Sequence, residues 1–199
     1  MVGNADNLLV NGGFEVGPAF LSNSTEGILL DAEPSLVQSA LQQWSVIGTV
    51  KYIDSKHYLV PQGNAAIEIV SGASAGIQTA REFNKGSTYN LEFVLGDANN
   101  SCVGDFILGA QAGSTVQNFT VSSKGTGSAQ KFSMTFKADS SLTPISFVSH
   151  TTSQTRDQFC GPVINDVVSR VSYGLKQEMQ SKVMFSCLFL LIVVLQIAV

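Results

Sequence analysis

An all-β sandwich of the jelly-roll kind is the fold this sequence predicts, and three observations predict it. Short apolar runs rich in Val, Phe and Thr recur between Gly, Ser and Asn breaks, giving roughly ten strands at 8–15-residue spacing. No long amphipathic helix pattern interrupts them before the last residues of the chain. Charged residues make up only 13% of the 199, against 44% apolar residues and 18 glycines, a balance that suits strands and tight turns better than helices.

The stretch Asn7–Pro18, NLLVNGGFEVGP, organises the chain. Leu8-Leu9-Val10 reads as an opening strand. Asn11-Gly12-Gly13 is a turn signal, because Asn and Gly tolerate positive φ at low cost. Phe14 is expected to turn inward as a core anchor, followed by the carboxylate of Glu15. Near the other end Cys160–Val171, CGPVINDVVSRV, reads as a closing strand with Asp166 in its middle. The two segments are expected to lie side by side, which makes Glu15 and Asp166 candidates for one shared polar or metal site.

Between them, residues 19–43 read as a long loop. A strand starts at Gln43-Trp44-Ser45-Val46, and Thr49–Asp54 alternates polar and apolar residues. Lys56–Gly63 is a connection with a Pro-Gln-Gly turn. Ala65–Val70 alternates again, with Ala65, Ile67 and Ile69 on one face and Glu68 on the other. Ile77–Phe83 follows a small-residue turn. Thr88–Leu95 is the clearest strand, with Tyr89, Leu91, Phe93 and Leu95 on one face. Gly96–Gly104 is a polar loop, and further strands are expected at 105–112, 115–121, 130–137, 144–150 and 163–171.

The last residues change character. Val183–Val199 is a run of 17 residues without a charge, following small residues at Ser172 and Gly174 and a polar spacer over 172–182. As a hydrophobic helix the run would span about 25 Å, a little short of a bilayer's hydrocarbon core of about 30 Å. Small residues, spacer and apolar terminus are the features of a GPI-attachment signal at Ser172 or Gly174, with a membrane-spanning helix as the alternative. Either makes the membrane a partner through the tail.

Formal net charge is −4 and no Lys/Arg run exists, which excludes nucleic acid as an expected partner. Of the three cysteines, Cys102 and Cys160 are expected to pair in an oxidising compartment, and Cys187 lies in the tail. Closing that loop would stabilise the fold by about 4 kcal/mol in the chain-entropy picture. Glycosylation sequons stand at Asn23, Asn99 and Asn118. The first residues carry no secretory signal, so a start upstream of Met1 is expected.

The motifs NLLVNGGFEVGP, VKYIDS with a following VPQG, YNLEFVLGDANNSC and CGPVINDV, in that order, resemble a plant cell-wall family, the one named after domain of unknown function 642. The resemblance covers about residues 7–171 and matches the second of the family's usual two tandem domains. It implies a galactose-binding-like β-sandwich in a secreted, wall-associated protein. It also implies binding of plant cell-wall polysaccharide, partnership with pectin methylesterase, and no enzymatic activity.

Two kinds of site follow. A structural calcium would need six to eight oxygens where the first and last strands meet, and Glu15 and Asp166 are the carboxylates placed to offer some of them. No other cofactor is called for. A sugar site needs an aromatic face with a polar rim. Tyr52 and Tyr58 are the expected surface rings, with Asp54, His57, Gln62 and the Asp97, Asn99 and Asn100 loop nearby, while Trp44 reads as core. Gly72-Ala73-Ser74-Ala75-Gly76 matches the hydrolase G-x-S-x-G elbow, with His150 following in chain order. That elbow needs a strand-to-helix turn, and both flanks here read as strands, so Ser74 is expected to be noncatalytic.

Overall fold

The structure, a computed structural model, describes residues 7–20, 26–32, 40–69, 74–98, 102–151 and 160–172. The 99–101 half of one polar loop, the sequons at Asn23 and Asn99, Gly174, and the spacer and apolar run beyond it lie outside these residues. Among the described residues no helix is long and apolar enough to cross a membrane.

Eleven strands are described: β1 Ile28–Asp31, β2 Ser45–Ile47, β3 Thr49–Asp54, β4 Ala65–Ile69, β5 Gly76–Glu82, β6 Thr88–Gly96, β7 Val103–Ala112, β8 Thr115–Lys124, β9 Ala129–Lys137, β10 Leu142–Ser149 and β11 Val163–Val171. They form two antiparallel sheets, a six-stranded one in the order β1-β3-β4-β11-β6-β9 and a five-stranded one in the order β2-β5-β10-β7-β8. The expected alternation is what places the core. Tyr89, Leu91, Phe93 and Leu95 of β6 all point inward and are buried, as are Ile67 and Ile69 of β4. They meet Phe106 and Leu108 of β7, Phe119 of β8 and Phe147 of β10 in one continuous cluster. Phe93 sits at the crossing point, with ring centroids 5.0 Å from both Phe119 and Phe147. Burying rings of this size stabilises by about 2–3 kcal/mol each, which is why Phe supplies most of the aromatics.

The first and last segments do lie side by side. Leu8 N donates to Ser169 O at 2.9 Å and Val167 N donates to Gly12 O at 2.9 Å. A β-carbon at Gly12 would collide with the Val167 carbonyl, so only glycine allows this approach. Leu8–Val10, however, is not a strand. The Asn7 carboxamide takes a ladder position, its Oδ1 accepting from Leu9 N at 3.0 Å and from Ser169 N at 2.9 Å. Asn11 then reverses the chain with φ 55°, its side chain accepting from Val16 N at 3.0 Å and donating to Val16 O at 2.8 Å. Local side-chain hydrogen bonds of this kind compete with a sheet ladder, and here they win. Phe14 is buried as expected and packs edge-on against Trp44 at 5.5 Å, whose indole Nε1 donates to Val10 O at 3.0 Å.

Three further differences from the expectation are physical. β1 falls inside the expected loop because it is a short edge strand whose four residues alternate between half-buried and exposed, too little apolar patterning to register. β11 carries a bulge between Asn165 and Val168, where Asp166 adopts φ 49°. Glu68 faces away from the main core as its alternation predicts, yet it is fully buried. It pairs with Lys51 Nζ at 2.6 Å and accepts from Gly161 N at 3.2 Å. A small second cluster of Ile53, Ala66, Ala98 and Val163, with Tyr58 and Val60 against it, covers the outer face of this sheet.

Candidate functional site

The end of β3, the start of β4 and the segment after Phe14 meet in an open cleft of about 430 Å³. This is within the size range of sites that hold small ligands. Its walls include Glu15, Phe20, Tyr52, Asp54, Lys56 and Asn64. Gly17 lets the chain pass directly over the Tyr52 ring, because any side chain there would strike it. Phe20 then lies flat on Tyr52, centroids 5.0 Å apart and planes within 9°. Tyr52 is the inner ring and is 3% exposed, and its hydroxyl donates to Phe14 O at 2.8 Å. Burial raises the Tyr52 pKa first, and the negative charges of Glu15 and Asp54 raise it further.

Glu15 is fixed on the rim. Its carboxylate accepts from Asn64 N at 2.7 Å and from Asn64 Nδ2 at 3.1 Å. Gly63 packs beneath it, where a β-carbon would run into the carboxylate. The turn itself is anchored from below by Asn165, whose Nδ2 donates to Gln62 O at 2.9 Å and Ala65 O at 2.6 Å. Asp54 is held too, since its Oδ1 accepts from His57 N at 3.2 Å and lies 2.7 Å from His57 Nδ1.

The structure sorts the residues expected from sequence into different places. Tyr52 and Asp54 do line one cleft, but Tyr52 is a buried support rather than an exposed ring, since β3 turns it toward the core. Phe20 is the ring that stands outside it, half-buried. Tyr58 does not share that surface. It packs on the outer face of the six-stranded sheet, with Lys51 Nζ 5.5 Å above its ring and its hydroxyl accepting from Gly27 N at 3.3 Å. Asp97, expected to face sugar, directly follows β6, is 1% exposed and turns toward the 125–128 turn between β8 and β9. Its carboxylate accepts from Gly127 N, from Ser128 N at 3.1 Å and from Ser128 Oγ at 2.9 Å.

Glu15 lines the cleft, while Asp166 stands on the β11 bulge and does not. Among the described residues no three His, Cys, Asp or Glu side chains gather as a metal would require. A calcium ion bound by these two carboxylates would have to complete its six to eight oxygens from groups other than a third acidic side chain. Cys102 and Cys160 are joined as a disulfide. Asn118 is exposed on β8 with Thr120 exposed on the same face and Phe119 turned inward. Ser172 continues the last strand's pairing, its N donating to Thr88 O at 2.9 Å. Ser74 precedes β5, so its motif joins two strands, β4 and β5, of different sheets.

Sequence reasoning missed Phe20, Lys56, Asn64 and Asn165. The available signal was an aromatic placed just after the Gly17-Pro18 break. A ring that follows such a break is worth more attention than a tyrosine inside a strand, because strand alternation decides the latter's direction.

Known proteins resemble both the chain and its fold. Residues 7–170 match the family described as "Protein of unknown function (DUF642)". The Arabidopsis thaliana protein "DUF642 L-GALACTONO-1,4-LACTONE-RESPONSIVE GENE 2" is 42% identical over 166 residues, covering 81% of this chain and 45% of that protein. "Protein TEEBE" of the same plant is 38% identical over 167 residues, with the same coverage. The chain thus spans about half the length of the curated relatives it matches. Among solved structures, TmCBM61 in complex with β-1,4-galactotriose superposes with a TM-score of 0.51 at 16% identity, over 84% of this chain and 100% of that one. That likeness shows that the two chains share the jelly-roll sandwich fold.

Proposed function

This chain belongs to the DUF642 family, and from that premise we propose that it is a noncatalytic module whose Phe20 cleft binds a plant cell-wall polysaccharide. The observation that carries the reading is the Phe20 ring lying flat on Tyr52 at the mouth of a cleft whose rim holds Glu15, Asp54, Lys56 and Asn64. A pyranose presents a C–H face to such a ring and hydroxyls to such a rim. Tyr52 cannot tilt, because its hydroxyl is tied to Phe14 O, so the outer ring rests on a fixed backing. The reading is noncatalytic because the Ser74 motif lacks the helix that an exposed nucleophile elbow needs.

β-1,4-Galactan is the first ligand to test, since TmCBM61 holds β-1,4-galactotriose on the same fold. Titration calorimetry of the wild type and Phe20→Ala with galactan oligosaccharides decides the matter. Loss of binding with an unchanged circular dichroism spectrum supports the cleft, and undiminished binding in Phe20→Ala removes it. Val10 and Val16 stand exposed on the segment that carries Glu15, which favours as a second reading a protein partner, pectin methylesterase by family resemblance. Retention of that enzyme on immobilised wild type but not on Val16→Asp would support it.

The same reading places the protein at the cell wall or outer membrane surface. Release of the full chain from intact cells by phosphatidylinositol-specific phospholipase C would establish a lipid anchor, and a mass shift with glycosidase would establish a glycan on Asn118. A structural calcium between Glu15 and Asp166 predicts a lower Tm in EGTA than in calcium, and equal Tm values would remove it.

A further inference from the structure

We infer that the cleft selects a neutral glycan and rejects one built of uronate units. The inference rests on the cleft being the sugar site, and it adds the class of sugar. Three lining side chains carry formal charge: the carboxylates of Glu15 and Asp54 and the ammonium of Lys56. The two carboxylates are held in place, whereas a lysine is a long, flexible point charge. Glu15 is clamped by both amide donors of Asn64 and by the packing of Gly63, so it cannot swing away from an incoming anion. Asp54 is clamped by the backbone and ring of His57.

Chemistry points the same way as charge. A carboxylate accepts hydrogen bonds and donates none, so it matches sugar hydroxyls, which donate. It cannot match another carboxylate. The field of the two acids is already felt inside the cleft, where both oppose ionisation of the Tyr52 phenol. A uronate chain brings one negative charge per residue into that field, and the chain's formal net charge of −4 offers no long-range compensation.

The test compares β-1,4-galactotetraose with an α-1,4-oligogalacturonide of equal length, by calorimetry at pH 8 in 20 mM and 300 mM NaCl. Wild type, Glu15→Gln and Phe20→Ala are used. The expected result is about tenfold tighter binding of the neutral chain at low salt. That preference shrinks severalfold at high salt, as screening demands, and shrinks likewise in Glu15→Gln. Equal or tighter binding of the oligogalacturonide that Phe20→Ala abolishes would overturn the inference and leave the cleft standing. So would a preference that neither salt nor Glu15→Gln alters. Binding of either sugar that survives Phe20→Ala, or binding of neither, would overturn the cleft reading and the inference together.

Discussion

Among the turns that carboxylates hold in this molecule, two have opposite uses. At one, buried Asp97 grips the 125–128 turn through two backbone amides and a hydroxyl, beside the Cys102–Cys160 disulfide, with Ser123 Oγ donating to Cys102 O at 2.5 Å. At the other, exposed Glu15 grips Asn64 and keeps an open cleft in front of it. The device is the same, an acid accepting from the amides of a glycine-containing turn. Burial makes the difference. A carboxylate walled in by its turn stabilises the fold and can meet nothing else, whereas one on a rim keeps acceptor capacity for a ligand.

Four measurements break or sharpen that contrast. Replacing both Cys102 and Cys160 by Ala should lower the unfolding free energy by about 4 kcal/mol, since the bridge closes a loop of 58 residues. Galactan affinity at the cleft should stay within twofold of wild type; a parallel loss would show that the two regions are one unit. Asp97→Ala should cost about 2 kcal/mol in urea melts by removing the acceptor of two part-buried amides and a hydroxyl, again with affinity retained. Tyr52→Phe should cost about 1 kcal/mol through the lost bond to Phe14 O. It should also change the alkaline limb. The folded phenol holds its proton above the ordinary value of 10.0, so its contribution is fully present below that pH and is lost as pH rises through the folded value. The stability of Tyr52→Phe should therefore fall less steeply above about pH 10. Glu15→Ala is the smallest in stability, within about 1 kcal/mol because the group is exposed, yet it should weaken galactan binding about fivefold. Stability lost there without affinity would place Glu15 in the same class as Asp97.

Strands that alternate over a full face were legible from sequence. β3 and β6 run where the pattern puts them because each buries one face against the opposite sheet, and a register slip would expose every inward side chain. The opening strand was not, because whether Leu8–Val10 pairs as a ladder depends on where the carboxamides of Asn7 and Asn11 reach, which is settled only by the fold around them. The cleft was half legible. Asp54 and Tyr52, named from sequence as an acid beside a surface ring, both line it, but Tyr52 does so as a buried ring. Phe20 was not named, since its stacking partner is 32 positions away and nothing in its own neighbourhood predicts the pairing. Asp97 and Glu15 both read as acids close to a glycine, Gly96 and Gly17, and depth separates them.

The antiparallel pairing of Leu8 with Ser169 and Gly12 with Val167 has a mechanical consequence. The chain enters the sandwich and leaves it at neighbouring points, so tension between whatever precedes residue 7 and whatever follows residue 172 is applied across one seam. Because the two segments run in opposite directions, such a pull opens their hydrogen bonds one after another, as a zipper opens, instead of shearing them all together. Phe14, buried against Trp44, precedes Glu15 and Phe20 in the chain, so force would have to draw that ring out of the core before it freed either of them. Under load the walls of the cleft and the aromatic core would therefore give way together.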